Sequence, residues 1–427
     1  MIKKLHALVI QNKNKQVVKN SFYMSLFQIF NYVFPAITFA YLARVLGVSN
    51  FGLVMLSVAV ANYFAIVVDW GFMYSAVRTI ALNKHNPQKV SQTASAVIVL
   101  KILFFLAGAV VFAGIVFAVP ALRQEKLLYF LAFLGVLWNV FFAEWIFQAF
   151  EEMRYTAYFS WVMESITLGL VIFFVRAPSD YVLVVLIGSC VAGVGALVSC
   201  LFAFKKFKLK FKIPPLSVLK ENLREGLHFF NANVSLVIGH STVSVMLGFF
   251  VGYAAVGYYT AAKKILIALR LMAQPVASAV YPYILRKFES FASGAVTTVK
   301  KVLIFTTTAS FALCALVFIW AGSIVRIIWG ESYVEVSGAL VRAGLLMPVI
   351  SSVYIILMTH ILMPLRKEVL IGKIFFSSVA ISVVLSFVLI KNFGALGAMV
   401  SVTLFDACIA AGVFVASRKA VKSIAVA

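Results

Sequence analysis

Charge is scarce in this chain. Only 12% of its 427 residues are Asp, Glu, Lys or Arg, and only 14 are acidic. That is too few to solvate the surface of a water-soluble protein of this length. Cysteine is scarcer still. Cys190, Cys200, Cys314 and Cys408 all fall in apolar runs without a CxxC or metal-ligand spacing, and they read as packing residues. Catalytic signatures are missing as well. There is no GxxxxGK[ST] loop, which excludes a phosphate-binding NTPase site within the chain, and no HExxH. The "GVG" at Gly193 to Gly195 lacks the rest of a dinucleotide fingerprint, and close helix packing explains it. His228 and His240 stand twelve apart with no further ligand pattern. A membrane glycosyltransferase or ligase needs a large extracytoplasmic loop or domain, and the longest connection on that side is only about 15 residues.

What is abundant is hydrocarbon: 63% of the residues are hydrophobic and the mean hydropathy is +1.04. Apolar windows of about 20 residues, enough to cross about 30 Å of lipid as a helix, recur throughout. They predict an all-α integral membrane protein with about twelve spans, at 20–43, 52–72, 94–118, 127–150, 156–175, 181–204, 226–250, 256–285, 302–322, 338–363, 369–390 and 395–416. Transmembrane β-strands would be about ten residues long with alternating polarity, unlike these. The polar start "MIKKLHALVIQNKNKQVVKN" has no signal-peptide h-region or cleavage site.

The net charge of +23 could suggest nucleic acid, but the basic residues are distributed as the positive-inside rule requires. With a cytoplasmic N-terminus, 25 of the 37 Lys and Arg fall on the cytoplasmic side. Six fall outside: Arg44, Arg123, Lys126, Arg176, Arg326 and Lys391. The other six lie within spans: Lys101, Lys263, Lys264, Arg270, Arg342 and Lys373. Both termini are therefore expected in the cytoplasm. The loop "KKFKLKFK", Lys205 to Lys212, reads as an orientation and anionic-lipid signal rather than an RNA site. No nucleic-acid partner is expected.

The longest basic connection, 205–225, separates six spans from six. It predicts an N-terminal lobe at 1–204 and a C-terminal lobe at 226–427. "LGVSNFGLV" follows the first span with Gly47 and Gly52, and "VGYAAVGYY" follows the seventh with Gly252 and Gly257. Both pairs are offset by 205, which points to two six-helix lobes related as a parallel repeat. A similar "NFGALGA" with Gly394 and Gly397 precedes the last span.

"FPAITFAYLARVLGVSNFGLV" together with "VVDWGFMYSAVRTIA" resembles the amino-terminal signature of Wzx-type lipid-linked oligosaccharide flippases. Their superfamily also holds multidrug exporters and lipid II flippases. The resemblance implies movement of undecaprenyl-pyrophosphate-linked glycan units, for O-antigen-like polysaccharide, from the inner to the outer leaflet of a bacterial plasma membrane. It implies a transporter and no enzyme, a lipid environment, and neighbouring polymerase and chain-length machinery. It implies no cofactor beyond a coupling proton or sodium ion. A cation-coupled multidrug exporter of the same superfamily is the alternative, for which a more acidic cavity is expected.

Charges inside the spans supply the candidate site. Lys263, Arg270 and Gln274 stand seven and eleven residues apart, on one face of a continuous helix, whereas Lys264 is turned about 100° away. Pro275 is expected to kink the helix there. A central Arg needs a partner or a wet cavity, and an Arg suits a diphosphate through its bidentate fork. Arg44, Gln28 and Asn31 complete the substrate-binding candidates; Gln28 belongs to a polar face with Ser21, Ser25, Tyr32 and Pro35. Polar residues of the seventh span, among them Asn231, Asn233 and Ser235, are more scattered. Asp69, Glu144 and Asp406 are the coupling-ion candidates, each with an alternative reading as an ion-pair partner, and Glu164 is a further possible partner.

Overall fold

The computed structural model describes the backbone of residues 2–290 and 292–426. It describes the side chains of residues 32–422 apart from 228, 229, 231–233, 235–237, 240, 275, 276, 278, 279, 282 and 289–293. Among the described residues every regular element is helical. In chain order these are α1 (Ile2–Asp69), α2 (Phe72–Leu82), α3 (Pro87–Ala118), α4 (Pro120–Gln124), α5 (Lys126–Leu134), α6 (Leu137–Phe141), α7 (Glu144–Ala149) and α8 (Met153–Phe174). There follow α9 (Tyr181–Lys206), α10 (Leu216–Phe250), α11 (Tyr253–Leu271), α12 (Ala273–Ser290), α13 (Ala292–Trp329), α14 (Val334–Gly344), α15 (Leu346–Leu357) and α16 (Glu368–Val426). Helix is what the composition demands, because lipid offers the backbone no hydrogen-bond partners. Eight stretches among the described residues are long and apolar enough to cross a membrane. Many of their exposed side chains are large and apolar, such as Val110, Leu201, Phe305, Ile327 and Val384, a surface suited to lipid rather than water.

The chain forms two compact units. Unit 1 is Met1–Val45 with Val60–Asn233, and unit 2 is Leu46–Ala59 with Val234–Ala427. In unit 1, Phe72, Ala76 and Ile80 of α2 pack with Val97 of α3, Phe147 of α7 and Ala203 of α9. In unit 2, Ile284 of α12, Val299 of α13, Ile355 of α15 and Phe405, Ile409 and Val413 of α16 form the core.

Three expected spans are interrupted, one of them 338–363, where α14 ends at Gly344 and α15 begins at Leu346. The stretch 127–150 is three short helices, α5 to α7, with breaks at Gly135 and at Phe142–Ala143. Gly135 lies so close to α9 that a Cβ there would stand 3.1 Å from the Ser189 hydroxyl, which itself donates to the Leu131 carbonyl at 2.6 Å. At the second break the Ala143 N–H donates to Ser199 Oγ at 3.2 Å rather than to the carbonyl of Asn139 one helical turn back. The remaining interrupted span is 256–285, where α11 ends at Leu271 and α12 begins at Ala273. The break puts Pro275 in the first turn of α12, where its missing N–H costs little. Arg270 and Gln274 therefore stand on different helices, and the continuous stripe covers only Lys263 to Arg270.

The offset glycines have matching conformations and meet one another. Gly47 (φ 73°, ψ 172°) breaks α1 into two helical segments, and Gly252 (φ 116°, ψ 176°) precedes α11. Both are left-handed positions suited to glycine. Their partners, Gly52 and Gly257, make a reciprocal backbone approach within unit 2. A methyl group on Gly52 would collide with the Tyr253 carbonyl, and one on Gly257 with the Val48 carbonyl. Val48 and Tyr253 are themselves 205 apart, so each half of the repeat supplies the same atom to the other. Because the obstructing atoms are backbone, a side chain here has nowhere to move. Gly52→Ala is expected to destabilise unit 2 by about 1–3 kcal/mol as an overpacked contact, read as a lower melting temperature of the purified protein; Gly114→Ala, with open space at its Cβ, is expected to leave it unchanged.

Candidate functional site

In unit 1 the "DWG" of the sequence motif resolves into three tasks. Asp69 ends α1 and meets a cation: Lys101 Nζ lies 3.2 Å from Asp69 Oδ1. Lys101 stands on α3 and is almost wholly buried, while Asp69 keeps about a quarter of its exposure. Lys101 Nζ also donates to the Asn139 carbonyl at 2.9 Å, the carbonyl released by the break before α7. Glu144, the first residue of α7, is within electrostatic reach of both Lys101 and Asp69. Asp69 is thus the ion-pair partner of Lys101, and Glu144 is a second carboxyl group beside the pair that can take up a proton or a small cation.

Trp70 and Gly71 carry the chain from α1 to α2 through two left-handed residues, φ 46° and 78°. The Trp70 indole N–H donates to the Leu223 carbonyl on α10 at 3.0 Å. Its ring stacks on Phe230 at 4.3 Å between centroids and lies 4.9 Å from Phe104. Gly226 makes the approach possible, since a Cβ there would stand 2.7 Å from the Trp70 carbonyl. The turn is thereby fixed, and with it the position of Asp69.

In unit 2, Arg270 of α11 lies 3.8 Å from Asp406 Oδ2 of α16. Asp406 is fully buried, whereas Arg270 retains 21% exposure. The same carboxylate oxygen accepts a short hydrogen bond of 2.6 Å from Ser351 of α15, and the other, Oδ1, is buried with no hydrogen-bond partner. At 3.8 Å the Arg270 contact is an ion pair without a direct hydrogen bond, so its guanidinium donors are not spent on Asp406. The guanidinium also lies 5.7 Å from the centroid of the Tyr354 ring. One face along α11, Lys263 Nζ stands 5.3 Å from the Tyr259 ring centroid. Two half-buried cations against one buried carboxylate leave this cluster net positive, and a guanidinium with available donors can hold a phosphate oxygen pair.

The other expected residues fall elsewhere. Gln274 is exposed on α12, and Arg44 is exposed on the first segment of α1 in unit 1. The side chains of Gln28, Asn31, His228, Asn231, Asn233, Ser235 and His240 lie outside the described residues. Arg342 and Lys373, counted among the intramembrane cations, are exposed, with Arg342 Nε donating to the Phe318 carbonyl at 3.3 Å. Lys101 and Ser351 were not among the site candidates. Lys101 had a visible signal, being the one cation in the long apolar run of α3; Ser351, one hydroxyl among many, had none. No group of three or more potential metal ligands occurs among the described residues.

Comparison with known proteins places this geometry. A multidrug resistance MATE family transporter of the MOP superfamily, in an inward-facing conformation, superposes with a TM-score of 0.74 at 14% identity, over 91% of this chain and 94% of that one. The lipid II flippase MurJ, in an inward closed conformation, gives 0.72 at 13% identity, over 92% and 87%. The protein is a multi-pass membrane protein with the fold of the MOP superfamily transporters. The family model described as "Polysaccharide biosynthesis protein" matches residues 17–288, and the chain belongs to that family. A protein of Escherichia coli named "Putative O-antigen transporter" is 25% identical over 91% of this chain and 94% of its own length. A protein of the same name from Shigella dysenteriae is 24% identical over 87% and 92%.

The pairing of Arg270 with a wholly buried Asp406 has a measurable consequence. Arg270→Ala strands a buried carboxylate, at a cost of about 3 kcal/mol or more, and is expected to lower the amount of protein in the membrane. Arg270→Ala combined with Asp406→Asn removes the stranded charge and is expected to restore abundance, measured by immunoblot of membranes. Equal abundance of the single variant and the wild type would contradict the pairing.

Proposed function

We propose that this protein is a flippase moving undecaprenyl-pyrophosphate-linked oligosaccharide units from the cytoplasmic to the outer leaflet of a bacterial plasma membrane, by alternating access, for O-antigen-like surface polysaccharide. The observation that carries this reading is the relation to the E. coli protein named "Putative O-antigen transporter" over nine-tenths of both chains. The net positive cluster of Lys263 and Arg270 supports it, because the group that every such cargo shares is an anionic diphosphate. In this proposal Arg270 meets the diphosphate through guanidinium donors that Asp406 leaves unused, and Lys263 adds a point charge. Asp406 holds the guanidinium in place between transport events. Both termini and the 205–225 connection are cytoplasmic, following the 25-to-6 distribution of basic residues, and the chain makes twelve passes.

The energy source proposed is a proton or sodium gradient acting at Asp69 and Glu144, the two carboxylates beside Lys101. A multidrug exporter would use the same fold; against it stands the positive sign of the Lys263–Arg270 cluster, which repels cationic cargo. Chromosomal deletion is expected to build up one lipid-linked oligosaccharide on the cytoplasmic side, identified by mass spectrometry of extracted lipids. Complementation by Asp69→Asn is expected to restore protein levels but to change the pH or sodium dependence of export. Absence of any accumulated species would overturn the cargo assignment, and unchanged ion dependence would leave Asp69 a structural partner of Lys101.

A further inference from the structure

A second amphiphilic site lies in unit 2, where the end of α15 meets the end of α16. A cavity of about 620 Å³ opens there. Its floor includes Leu357 and Ile361, both buried, and Ile361 belongs to a π-turn, Met358–Leu362, that widens the chain after α15. The wall from α16 has two zones. Phe414 and Val415 are apolar and exposed, and Arg418, Lys419 and Lys422 follow within two turns, all exposed and all lining the cavity. No carboxylate is among the lining residues.

The residues stand in register. Phe414, Arg418 and Lys422 are spaced at four, on one helical stripe, so the cations lie about 6–12 Å beyond the ring along α16. The Arg418 guanidinium is folded over Phe414 at 4.7 Å from the ring centroid, and both residues line the groove. Ser417, also lining the cavity, is 3% exposed, and its hydroxyl has no hydrogen-bond partner. A buried hydroxyl left unpaired is costly, and Ser417 belongs to the lining of the groove. The negative end of the α16 dipole, at Val426, lies about another turn beyond Lys422, and its influence is confined to the last turn.

We propose that this groove holds one anionic diacyl phospholipid of the surrounding bilayer, with its phosphate on Arg418, Lys419 and Lys422 and an acyl chain along Phe414 and Val415. A cluster of cations at the end of an apolar span attracts anionic headgroups, but a snorkelling cluster alone needs neither a cavity nor a buried unpaired hydroxyl. Arg418 stands twelve residues, about 18 Å along α16, from Asp406. The groove is thus displaced from the Arg270 cluster, and its occupant is a resident lipid rather than cargo. The inference does not depend on which cargo the protein moves.

Native mass spectrometry of the full-length protein released from bilayers of equal phosphatidylglycerol and phosphatidylcholine tests it. The wild type is expected to retain one phosphatidylglycerol preferentially. In the Arg418→Gln, Lys419→Gln, Lys422→Gln variant the preference is expected to fall about tenfold or more, given three headgroup contacts. Lys89→Gln, Lys220→Gln, Arg224→Gln removes as many exposed charges from unit 1, outside both the groove and the 205–212 basic run, and is expected to keep the bound lipid; loss there equal to that at the groove would make the attraction generic and overturn the proposal. Equal retention of the two lipids by the wild type would overturn it as well. So would displacement of phosphatidylglycerol from the groove by undecaprenyl pyrophosphate at equal concentration, which would assign the site to the carrier lipid.

Discussion

A charge in hydrocarbon must find a counter-charge, and this rule organises both units. A central Arg or Lys costs at least about 2.5 kcal/mol on insertion scales, so each buried cation fixes the helix that answers it. In unit 1 Lys101 ties α3 to the end of α1 through Asp69 and to α6 through the Asn139 carbonyl. In unit 2 Arg270 ties α11 to α16 through Asp406, while Ser351 brings in α15. These pairs do more than hold helices together. Buried ion pairs are often no more stabilising than apolar packing, so their retention in an otherwise apolar chain points to a use for the charge. The two clusters differ: unit 1 has an extra carboxyl group and unit 2 an extra cation. An anionic cargo and a cationic driver would each find one suitable partner.

The second constraint is close backbone approach. Gly52 against Tyr253 and Gly257 against Val48 bring together two stretches of unit 2 that are 205 residues apart in sequence. Trp70, held by Leu223 and stacked on Phe230 over Gly226, does the corresponding work in unit 1 and fixes the turn that presents Asp69. Small residues at helix contacts are what a membrane interior favours, since lipid provides no hydrophobic drive for helix association.

Much of this was legible in the sequence. Apolar run length fixed the helical membrane class, because lipid permits little else. The glycine pairs offset by 205 marked real junctions: Gly47 and Gly252 are left-handed, and Gly52 and Gly257 are where two backbones approach. The motif around Asp69 and Trp70 marked a real structural junction. What the sequence hid was tertiary. The breaks in 127–150 depend on hydroxyls of α9, Ser189 and Ser199, that lie 50 or more residues away. Residues 263 to 274 do not form one continuous helix, since α11 ends at Leu271 and α12 begins at Ala273, and Gln274 is left off the stripe. Partners for Lys101 and Arg270 could be shortlisted from the acidic residues, but only folding chose Asp69 and Asp406.

The central claim is that the unit 2 cations act on cargo and are not merely structural. It is tested most directly by reconstituting the purified protein in liposomes and measuring transbilayer movement of a fluorescent polyprenyl-diphosphate oligosaccharide. The variant to compare with wild type is Lys263→Gln, Arg270→Gln, Asp406→Asn, which removes the charges without stranding one. The account predicts normal folding by circular dichroism and melting temperature, with a rate at least about tenfold lower, one lost phosphate-guanidinium contact being worth that much. A wild-type rate from this variant would contradict it and leave Lys263 and Arg270 as helix-positioning charges.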